Sequence, residues 1–146
     1  MHIHYISEQN SILNHFLAQI RDVNIQKDSM RFRKNIERIG EIMAYELSKT
    51  LDYKEIDVQT PLGIKHTTTI AEPVVLCSIL RAGLALHQGF MSFFDNAENG
   101  FVSAYRHHYN NDDKFEILVE YQAAPSFEGK NLILIDPMLA TGQSLV

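Results

Sequence analysis

Along the first third of the chain, apolar residues recur at steps of three and four, the spacing that gathers them on one helix face. Residues 11–21 carry Ile12, Phe16, Leu17 and Ile20 in this pattern, with Ser11 placed as an N-cap. After a polar stretch at 24–29, residues 30–51 carry Phe32, Ile36, Ile39, Met43 and Leu47 at the same steps, which predicts a long amphipathic helix. The period then shortens to two. Residues 56–59 alternate and meet Thr60-Pro61-Leu62-Gly63, a strand running into a turn. Residues 74–80 (Val-Val-Leu-Cys-Ser-Ile-Leu) lose the alternation, as a strand covered on both faces does. A helix is expected over 82–94, and strands over 101–105 and 115–121 separated by a polar loop at 110–114. Beyond the Gly129-Lys130 turn comes a second buried strand over 131–135. Strands alternating with helices predict an α/β domain with a mostly parallel sheet flanked by helices, whose ligands bind at the carboxyl ends of the strands. We expect one domain over 1–146, with a helical segment over about 11–51 and a core over about 56–146.

Composition narrows the functional classes. The chain has 146 residues, 45% of them hydrophobic, enough for one core without disulfides or structural metal. Its formal charge of −5 provides no general basic field for nucleic acid or an anionic membrane, so any bound anion needs a local site. Cys77 is the only cysteine and cannot form an internal disulfide. The N-terminus lacks the charged start and apolar run of a signal peptide, and no apolar run approaches the ~20 residues that span a bilayer. A cytoplasmic location and no membrane partner are therefore expected. The seven histidines are scattered without Cys or carboxylate partners at ligand spacing, so no direct protein-held metal is expected. For the basic run Arg31, Arg33, Lys34 and Arg38, a solvated helix face is favoured over a phosphate contact.

Two segments at predicted strand ends carry chemistry. Asp136-Pro137-Met138-Leu139-Ala140-Thr141-Gly142-Gln143-Ser144 follows the 131–135 strand. Its small residues let backbone N–H groups converge on a phosphate, Thr141 and Ser144 add hydroxyl donors, and a following helix would aim its positive end at the same place. Asp136 is placed to accept hydrogen bonds from sugar hydroxyls. Neither a Walker loop nor a Gly-x-Gly-x-x-Gly fingerprint is present. On composition alone, an ordinary strand-turn-helix connection with an Asp cap accounts for the segment equally well. Leu80-Arg81-Ala82-Gly83 ends the other buried strand, which favours a ligand-facing arginine over a surface one.

The Asp136 to Ser144 segment resembles the phosphoribosyl pyrophosphate (PRPP) loop of phosphoribosyltransferases. Asp-Pro-Met-Leu-Ala-Thr-Gly, with Pro137 where most relatives carry a second acid, is similar to the uracil phosphoribosyltransferases in particular. Thr60-Pro61-Leu62-Gly63, Ile79-Leu80-Arg81-Ala82-Gly83, Tyr105-Arg106, Val119-Glu120-Tyr121 and the helix from Arg31-Phe32-Arg33 to Ala44-Tyr45-Glu46 resemble the same family in order and spacing. Gln143, in place of a glycine, and Ser78, in place of a proline, depart from the pattern without removing a charged contact. The chain ends at Val146, before the position of the family's uracil-holding hood loop, so the resemblance implies a C-terminally incomplete domain.

The resemblance implies an enzyme of pyrimidine salvage that converts uracil and PRPP to UMP and diphosphate, with Mg²⁺ carried by PRPP rather than held directly by the protein, and Asp136 as the one candidate contact to it. Arg81 and Arg106 would meet the leaving diphosphate as catalytic residues, with Ala82 and Gly83 binding PRPP beside them. Asp136 would orient the ribose hydroxyls, Pro137 would contact PRPP, Ala140 to Ser144 would hold the 5′-phosphate, and Met138 and Leu139 would pack beneath the loop or line the base side. A dimer or higher homo-oligomer is implied, with the 115–121 strand and its polar loop as an arm near the site. Cys77, inside a buried strand, is no nucleophile. The alternatives are a non-catalytic PRPP- or nucleotide-sensing module and a transferase for another nucleobase.

Overall fold

The computed structural model describes residues 3–108 and 115–138, and among them the side chains outside 104–120. Helix α1 (Ile12–Arg21) starts at a reciprocal cap: the Leu13 N–H donates to Ser11 Oγ at 3.2 Å, and the Ser11 N–H donates to Asn14 Oδ1 at 3.1 Å. A 3₁₀ turn (Ile25–Lys27) interrupts the polar stretch before α2 (Ser29–Ser48). Asp28 caps α2 by accepting from the N–H groups of Arg31 and Met30. The Arg31 N–H, foremost, holds the Asp28 carboxyl below its ordinary value.

Packing of these helices revises the basic run. Arg31 pairs with Asp28 and Lys34 with Glu37 on the exposed face. Arg38 instead lies over the Phe16 ring, 5.3 Å from its centroid, and donates to the Oδ1 of buried Asn35 at 3.2 Å. Asn35 in turn donates to Gln19 at 2.7 Å, so Arg38 belongs to the seam between α1 and α2.

Strands β1 (Tyr53–Thr60) and β2 (Gly63–Ile70) form an antiparallel hairpin apart from the main sheet. Its turn is the predicted Thr60-Pro61-Leu62-Gly63, with Gly63 at a φ of 132° that side-chain-bearing residues rarely adopt. Then come β3 (Val74–Leu80), α3 (Leu84–Met91), β4 (Glu98–His108), β5 (Phe115–Ala123) and β6 (Asn131–Ile135). The four-stranded sheet has the order β5-β4-β3-β6; β3 is parallel to β4 and β6, and β5 is antiparallel to β4. The expected α/β architecture with a mostly parallel sheet is present.

One face of the sheet meets the helices. Val74, Leu76, Ile133 and Ile135 pack with Leu13, Ile39, Ala44, Leu86, Phe90 and Phe94 into one core. At the crossing of α2 and α3 the backbones touch: a Cβ on Gly89 would lie 2.1 Å from the Glu37 carbonyl, and one on Gly40 would lie 2.5 Å from the Leu86 carbonyl. Only glycine fits there.

Two expectations are corrected. The helix foreseen from residue 82 begins at Leu84, because Arg81 to Gly83 form a turn. The 131–135 strand is not buried on both faces: Ile133 and Ile135 are buried, but Leu132 and Leu134 are 47% and 46% exposed. Among the described residues β3 lies between two neighbours, whereas β6 pairs with β3 alone. The polar loop at 110–114 lies outside the described residues.

Candidate functional site

Parallel pairing brings the carboxyl ends of β3 and β6, and the point where β4 runs past β3, to one border of the sheet. Ser78 is in register with Ile135, and Leu80 with Ser103, so the segments leaving β3, β6 and β4 emerge side by side. Each leads to a residue that the sequence singled out: Arg81, Asp136 and Arg106.

The Arg81 turn is tightly bracketed. The Gly83 N–H donates to the Ile79 carbonyl at 2.9 Å, and the His87 N–H to the Gly83 carbonyl at 2.8 Å. A Cβ on Gly83 would fall 2.7 Å from the Ile79 oxygen and 3.1 Å from that of Ile135. Gly83 is therefore wedged between the ends of β3 and β6, one residue from Asp136. Arg81 and Ala82 remain exposed, so the turn holds its backbone in the sheet and leaves the guanidinium to solvent. The Leu80–Arg81 peptide is cis.

Asp136 and Pro137 are half-buried, and Asp136 Oδ1 accepts from the Met138 N–H at 3.3 Å, closing the first turn after β6. Below them lies a cavity of about 290 Å³, lined in part by Ile6, Leu13, Ile39, Met43 and Leu86. Met138 is 75% exposed. Leu139, Ala140, Thr141, Gly142, Gln143 and Ser144 lie outside the described residues.

Arg106 is placed by its backbone. It pairs with Ile117 in the part of β4 that runs past the last pairing with β3, about 10 Å beyond Ser103 at a strand's ordinary rise. An irregularity between Ser103 and Ala104 marks where the β4–β5 ribbon leaves the sheet, and the ribbon projects from the border that carries Arg81. The Arg106 side chain lies outside the description.

Behind the turn is a cluster that motif reading did not single out. Ser78 Oγ lies 2.7 Å from His87 Nδ1, and His87 Nε2 lies 2.8 Å from Asn99 Oδ1. Ser78 and His87 are buried, and burial lowers the His87 pKa. The available signal was a lone histidine in the apolar helix Leu-Ala-Leu-His-Gln-Gly-Phe-Met. Cys77 is buried too, and desolvation pushes its thiol pKa up, which disfavours a thiolate.

The family model for uracil phosphoribosyltransferase matches residues 6–146. The chain belongs to the uracil phosphoribosyltransferase family. A family relative from Porphyromonas gingivalis, named uracil phosphoribosyltransferase, is 49% identical over 99% of this chain and 67% of its own length. One from Methanothermobacter thermautotrophicus with the same name is 37% identical over 94% of this chain and 62% of its own. The chain thus spans about two thirds of the length of these relatives. A solved structure from Aquifex aeolicus superposes with a TM-score of 0.80 at 30% identity, covering 94% of this chain and 64% of that one. A Staphylococcus aureus hypoxanthine phosphoribosyltransferase shares the fold, with a TM-score of 0.53 at 17% identity, over 94% of this chain and 61% of that one. No helix among the described residues is long and apolar enough to cross a membrane.

Proposed function

We propose that the protein is a uracil phosphoribosyltransferase, transferring the phosphoribosyl group of PRPP to uracil with release of diphosphate. Beyond family membership, the observation that carries this reading is the wedge at Gly83, which fixes a solvent-facing arginine beside a strand-end aspartate.

In the reaction, the bond between the ribose anomeric carbon and the diphosphate oxygen breaks with its electrons leaving on diphosphate. A uracil nitrogen then bonds to the electron-poor carbon and releases its proton to solvent. Charge accumulates on the leaving group, so stabilising it is the chief demand. Arg81 answers with a planar guanidinium that stays protonated and binds phosphate oxygens in pairs. Arg106 approaches the same group from the β4–β5 ribbon. Asp136 orients the ribose hydroxyls as hydrogen-bond acceptor, and Ala140 to Ser144 anchor the 5′-phosphate.

Mg²⁺ is read as arriving on the substrate's own phosphates, where Asp136 would be a carboxylate within reach of it. When bound, the ion offsets diphosphate charge. The protein is read as acting outside a membrane, in the cytoplasm, as a homo-oligomer.

Calorimetric titration tests the site. PRPP with Mg²⁺ should bind saturably, and Arg81→Ala should weaken PRPP at least tenfold more than ribose 5-phosphate, as loss of a charge-assisted contact does. Equal losses for both ligands would remove Arg81 from the diphosphate role. A uracil-to-UMP assay, with orotate and hypoxanthine in parallel, tests the base; PRPP binding without turnover of any base would leave a sensing module.

A further inference from the structure

We infer that the buried Ser78–His87–Asn99 chain is a positioning device, setting the Arg81 turn for the diphosphate of the substrate; this rests on the transferase reading above. The hydrogen bonds fix its internal order. Asn99 Nδ2 donates to the Ala97 carbonyl at 3.4 Å, which turns Oδ1 toward His87. Oδ1 can only accept, so His87 Nε2 carries the proton. In a neutral ring Nδ1 is then the acceptor, and the Ser78 hydroxyl donates to it across 2.7 Å. One imidazole thereby ties β3, α3 and β4 together.

The tie lies directly behind the turn. Ser78 precedes Arg81 by three positions, and its Cβ lies 3.3 Å from where a Gly83 Cβ would be. The His87 N–H holds the Gly83 carbonyl, so ring and backbone of one residue grip the turn and the sheet together. The other side-chain attachments of α3 to the core are apolar, through Leu86 and Phe90, and apolar contact is non-directional. Among the described side chains, His87 alone gives α3 a directional bond to the sheet. Freed of it, α3 slides on its apolar face and carries Gly83, and hence Arg81, out of line with the ligand. The ring touches no reacting group and acts through Arg81.

The test compares wild type with His87→Phe, His87→Gln and Ser78→Ala, titrating PRPP, inorganic diphosphate (both with Mg²⁺) and ribose 5-phosphate. His87→Phe should weaken PRPP and diphosphate about tenfold, the scale of one lost buried hydrogen bond, while ribose 5-phosphate stays within about twofold. His87→Gln, whose amide N–H reaches toward Asn99, should recover part of the loss, and Ser78→Ala should show a smaller loss in the same direction. In Ser78→Ala, the amides of Ala82 to Leu84 should also exchange hydrogen faster. Unchanged diphosphate affinity in the folded variants, or an equal loss for all three ligands, overturns the inference. If His87→Phe does not fold by circular dichroism, Ser78→Ala decides on the same criteria. A wild-type protein that binds neither PRPP nor diphosphate defeats the transferase reading itself, whereas wild-type binding with unaltered variants defeats only this one.

Discussion

At the residue scale, the site depends on two side chains of opposite kind: one that must be missing and one that must stay uncharged. Gly83 has no room for a methyl, since a Cβ would press on the Ile79 carbonyl at 2.7 Å, closer than such contacts occur. Gly83→Ala should therefore cost about 1–3 kcal/mol, as overpacking does, and should weaken PRPP as well, because relief comes by moving the turn. Urea unfolding and titration of one variant check both; a stable Gly83→Ala protein with full affinity would show that the wedge is loose. His87 faces Ser78, Asn99 and the Phe101 ring, none of them charged, and its folded pKa lies below the ordinary value because it is buried. Above pH about 6.5 the imidazole is neutral both folded and unfolded. Below that, the unfolded chain binds a proton that the folded chain refuses, so stability falls as pH drops from about 6.5 toward the lowered folded value. His87→Gln should flatten this part of the profile, read as urea midpoints at pH 7.5 and 5.5.

At the element scale, what the sequence made legible follows from whether burial imposed a period. The faces of α1 and α2 and the continuous run of β3 were visible because each is pressed on neighbours that favour apolar residues. β2 was not foreseen: Ile-Lys-His-Thr-Thr-Thr-Ile stands exposed on both faces through most of its length, so nothing enforces alternation, and only its β-branched residues favour a strand. β6 was overread because five apolar-rich residues look alike whether one face or two are covered. The site divides similarly. Arg81 and Asp136 could be placed from strand ends and motif, while the Ser78–His87–Asn99 chain joins three elements whose adjacency no local pattern encodes. The contact of α2 with α3 was likewise hidden, since Gly40 and Gly89 carry no signal until the helices cross. Gly89→Ala should destabilise by roughly 1–3 kcal/mol or more, because backbone of α2 rather than a movable side chain blocks the methyl. The urea midpoint measures this, and an unchanged midpoint would mean the helices separate freely.

At the scale of the whole molecule, the described residues cover the sheet unevenly. Leu132 and Leu134 present an apolar stripe on the face away from the helices, next to fully buried Val75 and Cys77 of β3. Such a stripe favours association. Leu132→Gln with Leu134→Gln should lower any concentration dependence of the sedimentation coefficient without altering the helix signal in circular dichroism. An unaffected profile would place association elsewhere. The strand order also has a temporal meaning. Central β3 meets β4 across a short span, Val75 with Glu98, but meets β6 only across a long one, Val74 with Asn131. The first pairing closes a loop of 98 − 75 = 23 positions and the second one of 131 − 74 = 57, so chain entropy favours the first. During synthesis β3, α3 and β4 leave the ribosome and can fold before β6 exists. Pulse-labelled hydrogen exchange should accordingly find the amides of Phe101 and Val102 protected earlier than those of Ile133 and Ile135. The arginine half of the site is then built first, and the aspartate half is added to a platform already waiting for it.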